Sequence, residues 1–327
     1  MKTGVAAGVE RYPKVTTETT AVIIVRPSFN DSTTPVRAPD FLSPPFTFAR
    51  MRHLLRYLLQ RLYTTWAVLW FIVPFLLIYP WQQLFSRRPQ WHKYVHVLNR
   101  GWSKFSIMMW GMPVRVRREV PGPLPTPCVY VANHSSYVDI MLLFKVIPGF
   151  LNMMGKASLA RVPVWGPLFG RVYITVDRNS AVSRGRAIVA ARRALAAGQS
   201  ICIFPEGRVS TTPGEVLLPF QDGAFQLAID AKVPIVPIGM ATNHRFMPDV
   251  PGSLRVRYAP LHLTLHAPID TKNLTAADVP ALKQRVAEII AADFLPTGRG
   301  IPEASTWKVL HQKPVETARP TAQPSRA

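Results

Sequence analysis

The chain has 327 residues and a formal net charge of +21 at pH 7, which indicates an anionic partner. Its length is sufficient to bury a hydrophobic core in one large domain or two small ones. Because no zinc-finger, helix-turn-helix or RNA-recognition pattern accompanies the charge, a membrane surface, an acidic protein or a phosphorylated substrate is favoured over nucleic acid. The two cysteines, Cys128 and Cys202, lie in apolar runs without metal-ligand spacing. They are predicted to be buried free thiols in a reducing compartment, and no metal site is expected.

The two ends of the chain differ in composition from its centre. Residues 1–50 are rich in Thr, Pro and Arg and lack a long helical period, which is typical of a disordered leader. An alternative interpretation is that translation starts at Met51 and the leader is not made. After Pro296 the chain becomes polar and rich in proline again, so residues 296–327 are predicted to be a disordered tail.

Residues 51–112 are predicted to form a membrane-associated helical segment. No charged side chain occurs from Leu62 through Ser86, and this stretch is mostly apolar but contains two prolines. Crossing the hydrocarbon core requires about 20 apolar residues. Two interpretations remain open: a single transmembrane helix, and an apolar helical hairpin that lies within one leaflet. The positive charges on both sides of the stretch favour the second. Residues 91–110 follow with aromatic side chains near helical spacing, as in an amphipathic helix that contacts the membrane or the core.

Residues 113–295 alternate short apolar runs with helical patterns, which predicts an α/β domain with a mixed sheet flanked by helices. Strands are predicted at Val114–Arg117, Cys128–Ala132, Val172–Val176, Ile201–Phe204, Ile235–Met240, Leu254–Ala259 and Leu261–His266. Helices are predicted at Val138–Val146, Ala181–Ala197, Gly223–Ala231 and Pro280–Phe294.

A histidine and an aspartate come directly after one of these strands. The run Asn133-His134-Ser135-Ser136-Tyr137-Val138-Asp139 places His134 in a turn and Asp139 in the first turn of the next helix. An imidazole can act as a general base, and a nearby carboxylate can fix its tautomer and stabilise its charged form. On spacing alone a second interpretation stays open, in which Ser136 and Asp139 only form a capping box at the helix start.

Two cationic side chains are candidates for binding a phosphate group. Arg178 follows a predicted strand, and its guanidinium can grip a phosphate through two parallel hydrogen bonds. The alternative is an ion pair with its neighbour Asp177 at the rim of the sheet. Lys156, in the run Gly155-Lys156-Ala-Ser-Leu159, is a second and less specific candidate.

A third block, Phe204-Pro205-Glu206-Gly207-Arg208, follows the strand predicted at Ile201–Phe204. Ligand-binding loops of α/β proteins collect at such strand ends. Glu206 can accept a hydrogen bond from a substrate hydroxyl, and Arg208 can contact a phosphate. A plain turn is the alternative.

Four ordered motifs resemble the HxxxxD-type glycerolipid acyltransferases, and the resemblance is strongest to the enzymes that acylate 1-acyl-glycerol-3-phosphate. The motifs are the His134–Asp139 run, the run ending at Arg178, the block Phe204-Pro205-Glu206-Gly207-Arg208, and Val233-Pro-Ile-Val-Pro-Ile238, within about residues 115–270. The resemblance implies that His134 is the general base, that Asp139 orients it, and that Arg178 binds the acceptor phosphate. It also implies that Glu206 and Gly207 belong to the site, and that the fourth motif shapes a substrate pocket.

The third motif departs from the family pattern. The family commonly has Thr-Arg after the glycine, whereas Arg208-Val209 stands there in this chain. Glycerol-3-phosphate or a phosphate-free lysolipid therefore stays open as the acceptor.

The resemblance implies a 1-acylglycerol-3-phosphate O-acyltransferase that transfers a fatty acyl group from acyl-CoA or acyl carrier protein and gives phosphatidic acid for phospholipid synthesis. Lys156, Arg178 and Arg208 are expected to hold the acceptor phosphate, and no cofactor is implied. The expected location is the cell inner membrane, with membrane lipid as a partner and the active site on the cytoplasmic side. A non-catalytic membrane lipid-binding protein is the alternative of a different class, and no nucleic-acid partner is expected.

Overall fold

The computed structural model describes residues 48–210, 217–248 and 254–293. The leader predicted over residues 1–50 lies outside these ranges except for the start of the first helix, and the predicted tail lies wholly outside them. The helices and strands of the described residues are α1 (Phe48–Phe85), α2 (His92–Met109), β1 (Val114–Arg118), β2 (Val129–Ala132), α3 (Val138–Val146), β3 (Leu151–Lys156), α4 (Trp165–Val172), β4 (Ile174–Val176), α5 (Ala181–Ala196), β5 (Ser200–Ile203), α6 (Gly223–Ala231), β6 (Ile235–Gly239), α7 (Asn243–Phe246), β7 (Leu261–Leu265) and α8 (Val279–Ala291).

The strands form one mixed sheet in the order β1-β7-β6-β2-β5-β3-β4. The five strands from β6 to β4 are parallel to one another. β7 is antiparallel to β6 and carries β1 beside it in parallel. The mixed α/β sheet flanked by helices is therefore confirmed. Because these five strands point the same way, the residues that follow them collect at one edge of the sheet.

The central strands are apolar on both faces because helices cover both faces. All four residues of β2 are buried, and so are all four of β5. Side chains alternate along a strand, so Tyr130 and Cys202 join one hydrophobic cluster, whereas Val131 and Ile201 join a second cluster across the sheet. Both cysteines are free and buried, as predicted.

Three elements, β3, α4 and the short helix α7, were not predicted from the sequence, and one predicted strand is wrong. β3 contains Asn, two Met and Gly, and α4 contains Gly166, Pro167 and Gly170, so local propensity argues against both elements. Tertiary packing overrides it: β3 lies between β5 and β4 in the sheet. Val172 ends α4 instead of starting a strand.

The segment Leu254–Ala259 was predicted as a strand, but the structure has no strand there. Its alternation of polar and apolar residues is typical of a half-buried strand, but its backbone hydrogen-bonds to side chains of a helix instead of to another strand. The carbonyl of Val256 accepts hydrogen bonds from the side chains of Gln60 and Thr64 on α1, and its N–H donates to Thr64 Oγ1 at 3.3 Å.

α1 and α2 form an antiparallel helical hairpin, with the turn at residues 86–91. α1 continues through Pro74 without a break, although Pro74 has no N–H to donate to the carbonyl of Trp70. Ser106 of α2 supplies the missing donor, because its Oγ donates to that carbonyl at 2.9 Å. Trp102 Nε1 donates in the same way to the carbonyl of Phe71 at 2.9 Å.

The hairpin exposes an apolar surface on α1. Residues Arg50–Phe85 are long and apolar enough to cross a membrane, and most of that stretch is exposed. The large exposed apolar side chains of α1 are Met51, Leu54, Leu55, Tyr57, Leu58, Leu59, Leu62, Trp66, Leu69, Ile72, Val73, Leu76, Leu77, Trp81 and Leu84. Such a continuous surface is typical of a membrane or protein contact.

His266 joins three separate elements through two carboxylates. It is 5% exposed, its Nδ1 lies 3.0 Å from Glu119 Oε1, and its Nε2 lies 2.9 Å from Asp293 Oδ2. Glu119 follows β1, His266 follows β7, and Asp293 follows α8. Burial alone lowers the pKa of His266, but the hydrogen bonds and charges of the two carboxylates outweigh it and raise the pKa above its ordinary value of 6.5.

Because the folded pKa of His266 is raised, its contribution to stability is complete below pH 6.5 and is lost as pH rises through the folded pKa. The stabilisation amounts to about 1.4 kcal/mol for each unit by which the pKa of His266 in the folded protein exceeds its pKa in the unfolded chain. The His266→Gln variant is expected to lose this dependence. Urea unfolding at a series of pH values from 6 upward measures it, and parallel profiles for the two proteins would contradict the expectation.

Candidate active site

The predicted site residues gather at the edge where the parallel strands end. His134 follows β2, Lys156 ends β3, Arg178 follows β4 and Glu206 follows β5. The register pairs Lys156 with Val176, so the end of β3 lies beside the end of β4. The structure thus brings side chains from four strands to one edge.

His134 and Asp139 are in direct contact. His134 Nδ1 lies 3.0 Å from Asp139 Oδ2, and the aspartate is fully buried. The same oxygen accepts hydrogen bonds from the N–H groups of Ser135 and Ser136 at 2.8 and 2.9 Å. The other oxygen, Oδ1, accepts from Asn243 Nδ2 at 2.8 Å. This set of donors holds the carboxylate in one orientation.

The capping interpretation accounts for one of these bonds. α3 begins at Val138 with Tyr137 as its N-cap, and the Tyr137 side chain makes no capping hydrogen bond. Asp139 accepts from the N–H of Ser136, as in half of a capping box, while Ser136 Oγ donates to the carbonyl of Met247 at 2.8 Å. The carboxylate therefore caps the turn and contacts the imidazole at the same time.

The imidazole of His134 is fixed on one side and free at the other. Its ring stacks on Phe204 with the ring centroids 4.1 Å apart, and the side chain is 12% exposed. Nδ1 is engaged by Asp139. In the part of the chain that the structure describes, Nε2 has no hydrogen-bond partner, so it is the ring atom available to take a proton from a bound molecule.

Glu206 holds the backbone of His134. Its Oε1 accepts from the N–H of His134 at 2.7 Å, and its Oε2 accepts from the N–H of Leu218 at 3.3 Å. Burial raises the pKa of Glu206 to about 8, although both hydrogen bonds act in the opposite direction. Because both oxygens already accept backbone hydrogen bonds, this geometry favours a positioning role over the predicted contact with a substrate hydroxyl.

Arg178 lies against the glycine of the third motif. Gly207 has φ +75°, and a Cβ at this position would lie 3.3 Å from Arg178 Nη1. Glycine therefore permits both the turn and the close approach of the guanidinium. Partial desolvation lowers the pKa of Arg178 from its ordinary value of 12.5.

The ion pair between Arg178 and Asp177 is not seen among the described residues, where Asp177 Oδ1 accepts from the N–H of Asn179 at 3.0 Å. The guanidinium of Arg178 also has no acidic partner there. Arg208 and Lys156 are exposed near the same edge. All three predicted phosphate-binding cations thus keep donors for an anionic ligand.

Sequence reasoning missed three contributors to the site. Asn243, the first residue of α7, is fully buried and reaches Asp139 from beyond β6. Phe204 supplies the surface on which the imidazole stacks. Asn133 ties the ends of β2 and β6 together, because its side chain exchanges two hydrogen bonds with the backbone of Met240, at 2.7 and 3.1 Å. No spacing rule marks Asn243, which is 104 residues from Asp139.

Residues 48–210, 217–248 and 254–293 contain no group of three or more His, Cys, Asp or Glu arranged to hold a metal ion. The groups at the candidate site are an imidazole, two buried carboxylates and several cations. These groups suit proton transfer next to an anionic ligand.

Residues 114–241 match the protein-family model named Acyltransferase. This stretch of the chain is therefore similar to the acyltransferase family. His134, Asp139, Arg178 and Glu206 all lie inside the matched region. The matched stretch therefore contains the imidazole–carboxylate pair and the third motif, whereas Asn243 lies two residues beyond its end.

The curated proteins that the chain resembles are also named acyltransferases. The chain is 32% identical over 213 residues to the 1-acyl-sn-glycerol-3-phosphate acyltransferase of Cocos nucifera. The aligned residues are 63% of this chain and 63% of that protein. It is 33% identical over 200 residues to 1-acyl-sn-glycerol-3-phosphate acyltransferase alpha of Homo sapiens, covering 57% of this chain and 65% of the human protein. The matches thus span somewhat less than two thirds of each relative's length.

A solved structure shares the fold. The 1-acyl-sn-glycerophosphate acyltransferase PlsC from Thermotoga maritima superimposes with a TM-score of 0.57 at 23% identity, covering 74% of this chain and 95% of that one. This similarity extends beyond the matched acyltransferase region, because it covers a larger share of the chain than residues 114–241 do.

Proposed function

We propose that this chain transfers a fatty acyl group to the free hydroxyl of 1-acyl-glycerol-3-phosphate and so makes phosphatidic acid. The observation that carries the proposal is the buried Asp139, which fixes His134 so that Nε2 is free at an edge lined by cations. The curated relatives are 1-acyl-sn-glycerol-3-phosphate acyltransferases, which supports this acceptor.

In the proposed reaction, His134 Nε2 removes the proton from the acceptor hydroxyl. The hydroxyl oxygen attacks the thioester carbonyl of the acyl donor, and a C–O bond forms. When the tetrahedral intermediate collapses, the C–S bond breaks and the thiol carrier leaves with the proton that the imidazolium returns. The Asp139 carboxylate stabilises the imidazolium meanwhile. No covalent acyl-enzyme is required.

The acceptor phosphate binds to the cations of the same edge. Arg178 lies over Gly207 with no acidic partner among the described residues, and Lys156 and Arg208 are exposed nearby. Glu206 contributes by holding the His134 backbone. The strong positive charge of the chain also suits an acyl-CoA or acyl carrier protein donor, because both are anionic.

The helical segment 51–112 anchors the acyltransferase domain, residues 113–295, to a membrane. The exposed apolar surface of α1 supports this role. α1 has 38 residues and is about 57 Å long, longer than the ~30 Å hydrocarbon core. The location is the cell inner membrane, with the site on the cytoplasmic side, where acyl donors are made.

Arg208-Val209 in the third motif favours a second candidate, in which the same chemistry acts on glycerol-3-phosphate or a phosphate-free lysolipid. Membranes containing the protein would be given each acceptor with acyl-CoA or acyl carrier protein donors, and the products separated by mass. Product from 1-acyl-glycerol-3-phosphate is expected. Product only from another acceptor would change the substrate and keep the reaction. If no acceptor gives product, the non-catalytic lipid-binding alternative replaces the enzyme.

A further inference from the structure

The short segment Leu254–Tyr258 is attached to the first half of α1. Its central residue, Val256, is fully buried, and both of its backbone polar groups hydrogen-bond to side chains of α1. The partners are Gln60 and Thr64, one turn apart on the helix. The position of this segment is therefore set by α1, the helix that carries the apolar surface.

The other four residues of the segment face solvent. Leu254 and Tyr258 are 54% and 67% exposed, and Arg255 and Arg257 are exposed as well. Among the described residues, this Leu and Tyr are left largely uncovered. Together with arginines they match the interface of a bilayer, where aromatic rings lie at head-group depth and guanidinium groups contact phosphates.

The adjoining part of α1 has the same character. Leu59 and Leu62, next to Gln60, are 55% and 67% exposed. From Phe48 to Arg118 the sequence contains no Asp or Glu, so every permanently charged side chain of this stretch is cationic. Apolar surface interleaved with positive charge alone is complementary to an anionic lipid surface and unfavourable for contact with another copy of this basic chain.

The segment is also connected to the active-site edge. The N–H of Arg257 donates to the carbonyl of Phe246, the last residue of α7, at 2.8 Å. α7 begins with Asn243, which holds Asp139. A bilayer that contacts Leu254–Tyr258 would therefore lie beside the edge of the sheet that carries His134.

We propose that Leu254–Tyr258 is a second membrane-contacting segment, in which Arg255 and Arg257 bind anionic phospholipid head groups while Leu254 and Tyr258 enter the interface. This proposal rests on the proposed membrane association of α1. It adds that the protein prefers anionic lipids and that one particular side of the domain faces the bilayer. The lysolipid acceptor of the proposed reaction would then enter from the adjacent leaflet.

Spin labels on introduced cysteines test the contact in the full-length chain, because both native cysteines are buried. The labelled variants are Tyr258→Cys, Leu77→Cys on the apolar surface of α1, and Val189→Cys on α5 as the aqueous control; Leu77 and Val189 are 71% and 48% exposed. Each is reconstituted into vesicles of phosphatidylcholine alone or mixed with phosphatidylglycerol. Collision with oxygen and with a water-soluble nickel complex reports the depth of each label.

We expect the label at position 258 to be shielded from nickel in the anionic vesicles, with the Leu77 label embedded and the Val189 label in water. Adding Arg255→Gln and Arg257→Gln is expected to lower the equilibrium constant between docked and undocked label about ten- to thirtyfold, since each basic residue near an anionic surface contributes about 1 kcal/mol. An embedded Leu77 label with an aqueous 258 label in both lipids would overturn the inference and leave membrane association intact. If the Leu77 label is aqueous too, the proposed anchoring fails, and the inference fails with it.

Discussion

The His134→Ala variant is expected to lose acyl transfer by a factor of roughly 10²–10⁴ in kcat, the usual contribution of a positioned general base. The loss follows from the geometry, because His134 Nε2 has no partner among the described residues while Nδ1 is fixed by Asp139. The KM for the acceptor is expected to change little, since the cations proposed to bind its phosphate come from other strands. Steady-state kinetics with membranes of equal protein content measures both values.

The matched control is His92→Ala, which removes a half-buried imidazole at the start of α2, where it contacts the carbonyl of Ser86. This variant is expected to keep wild-type kcat. The His134→Ala protein is expected to unfold at a lower temperature than the wild type, because the ring is only 12% exposed and stacks on Phe204, so its kcat is measured at a temperature where its unfolding curve shows that it is folded. A folded His134→Ala protein with wild-type kcat would exclude His134 as the base.

The Asp139→Asn variant is expected to lose both activity and stability. The carboxylate at position 139 only accepts hydrogen bonds, from Ser135, Ser136 and Asn243 as well as from the imidazole. An amide must place its NH₂ group at one of the two oxygen positions, where it meets another donor. Buried unsatisfied donors cost about 1–3 kcal/mol each, and the imidazolium loses its stabilising charge. We expect kcat to fall roughly 10²–10⁴-fold.

A second substitution separates the two losses. Asn243→Asp, combined with Asp139→Asn, exchanges the amide and the carboxylate and restores a donor opposite an acceptor between α3 and α7. The double variant is expected to regain most of the stability measured by urea unfolding, because the hydrogen bond is re-formed. Its kcat is expected to stay low, since the charge no longer contacts His134. Recovery of kcat together with stability would show that Asp139 acts only as a structural cap.

The residues that sequence reasoning identified are those whose partners lie close in the chain. His134 and Asp139 are five residues apart, and the turn between β2 and α3 is short enough to fix their contact. Asn243 could not be identified, because its contact with Asp139 depends on β6 lying next to β2. The roles of Phe204 and Glu206 depend in the same way on β5 lying at the other side of β2.

The fold shows the same limit. The strands β2, β5 and β6 are apolar runs whose burial on both faces is visible in their composition. β3 and α4 owe their conformation to neighbours, so Met, Gly and Pro in them gave a misleading local signal. Leu254–Ala259 had the composition of a strand and became an attachment to α1.

The position of Asn243 has a consequence for where this catalytic unit ends. The stretch shared with the acyltransferase family stops at residue 241, two residues before the amide that holds the second oxygen of Asp139. Residues further along the chain hold the same region in place. The N–H of His262 donates to Asn243, and the hydroxyl of Ser136 donates to the carbonyl of Met247. Excision of residues 114–241 would therefore separate the aspartate from its scaffold, so the smallest autonomous unit must continue at least through β7.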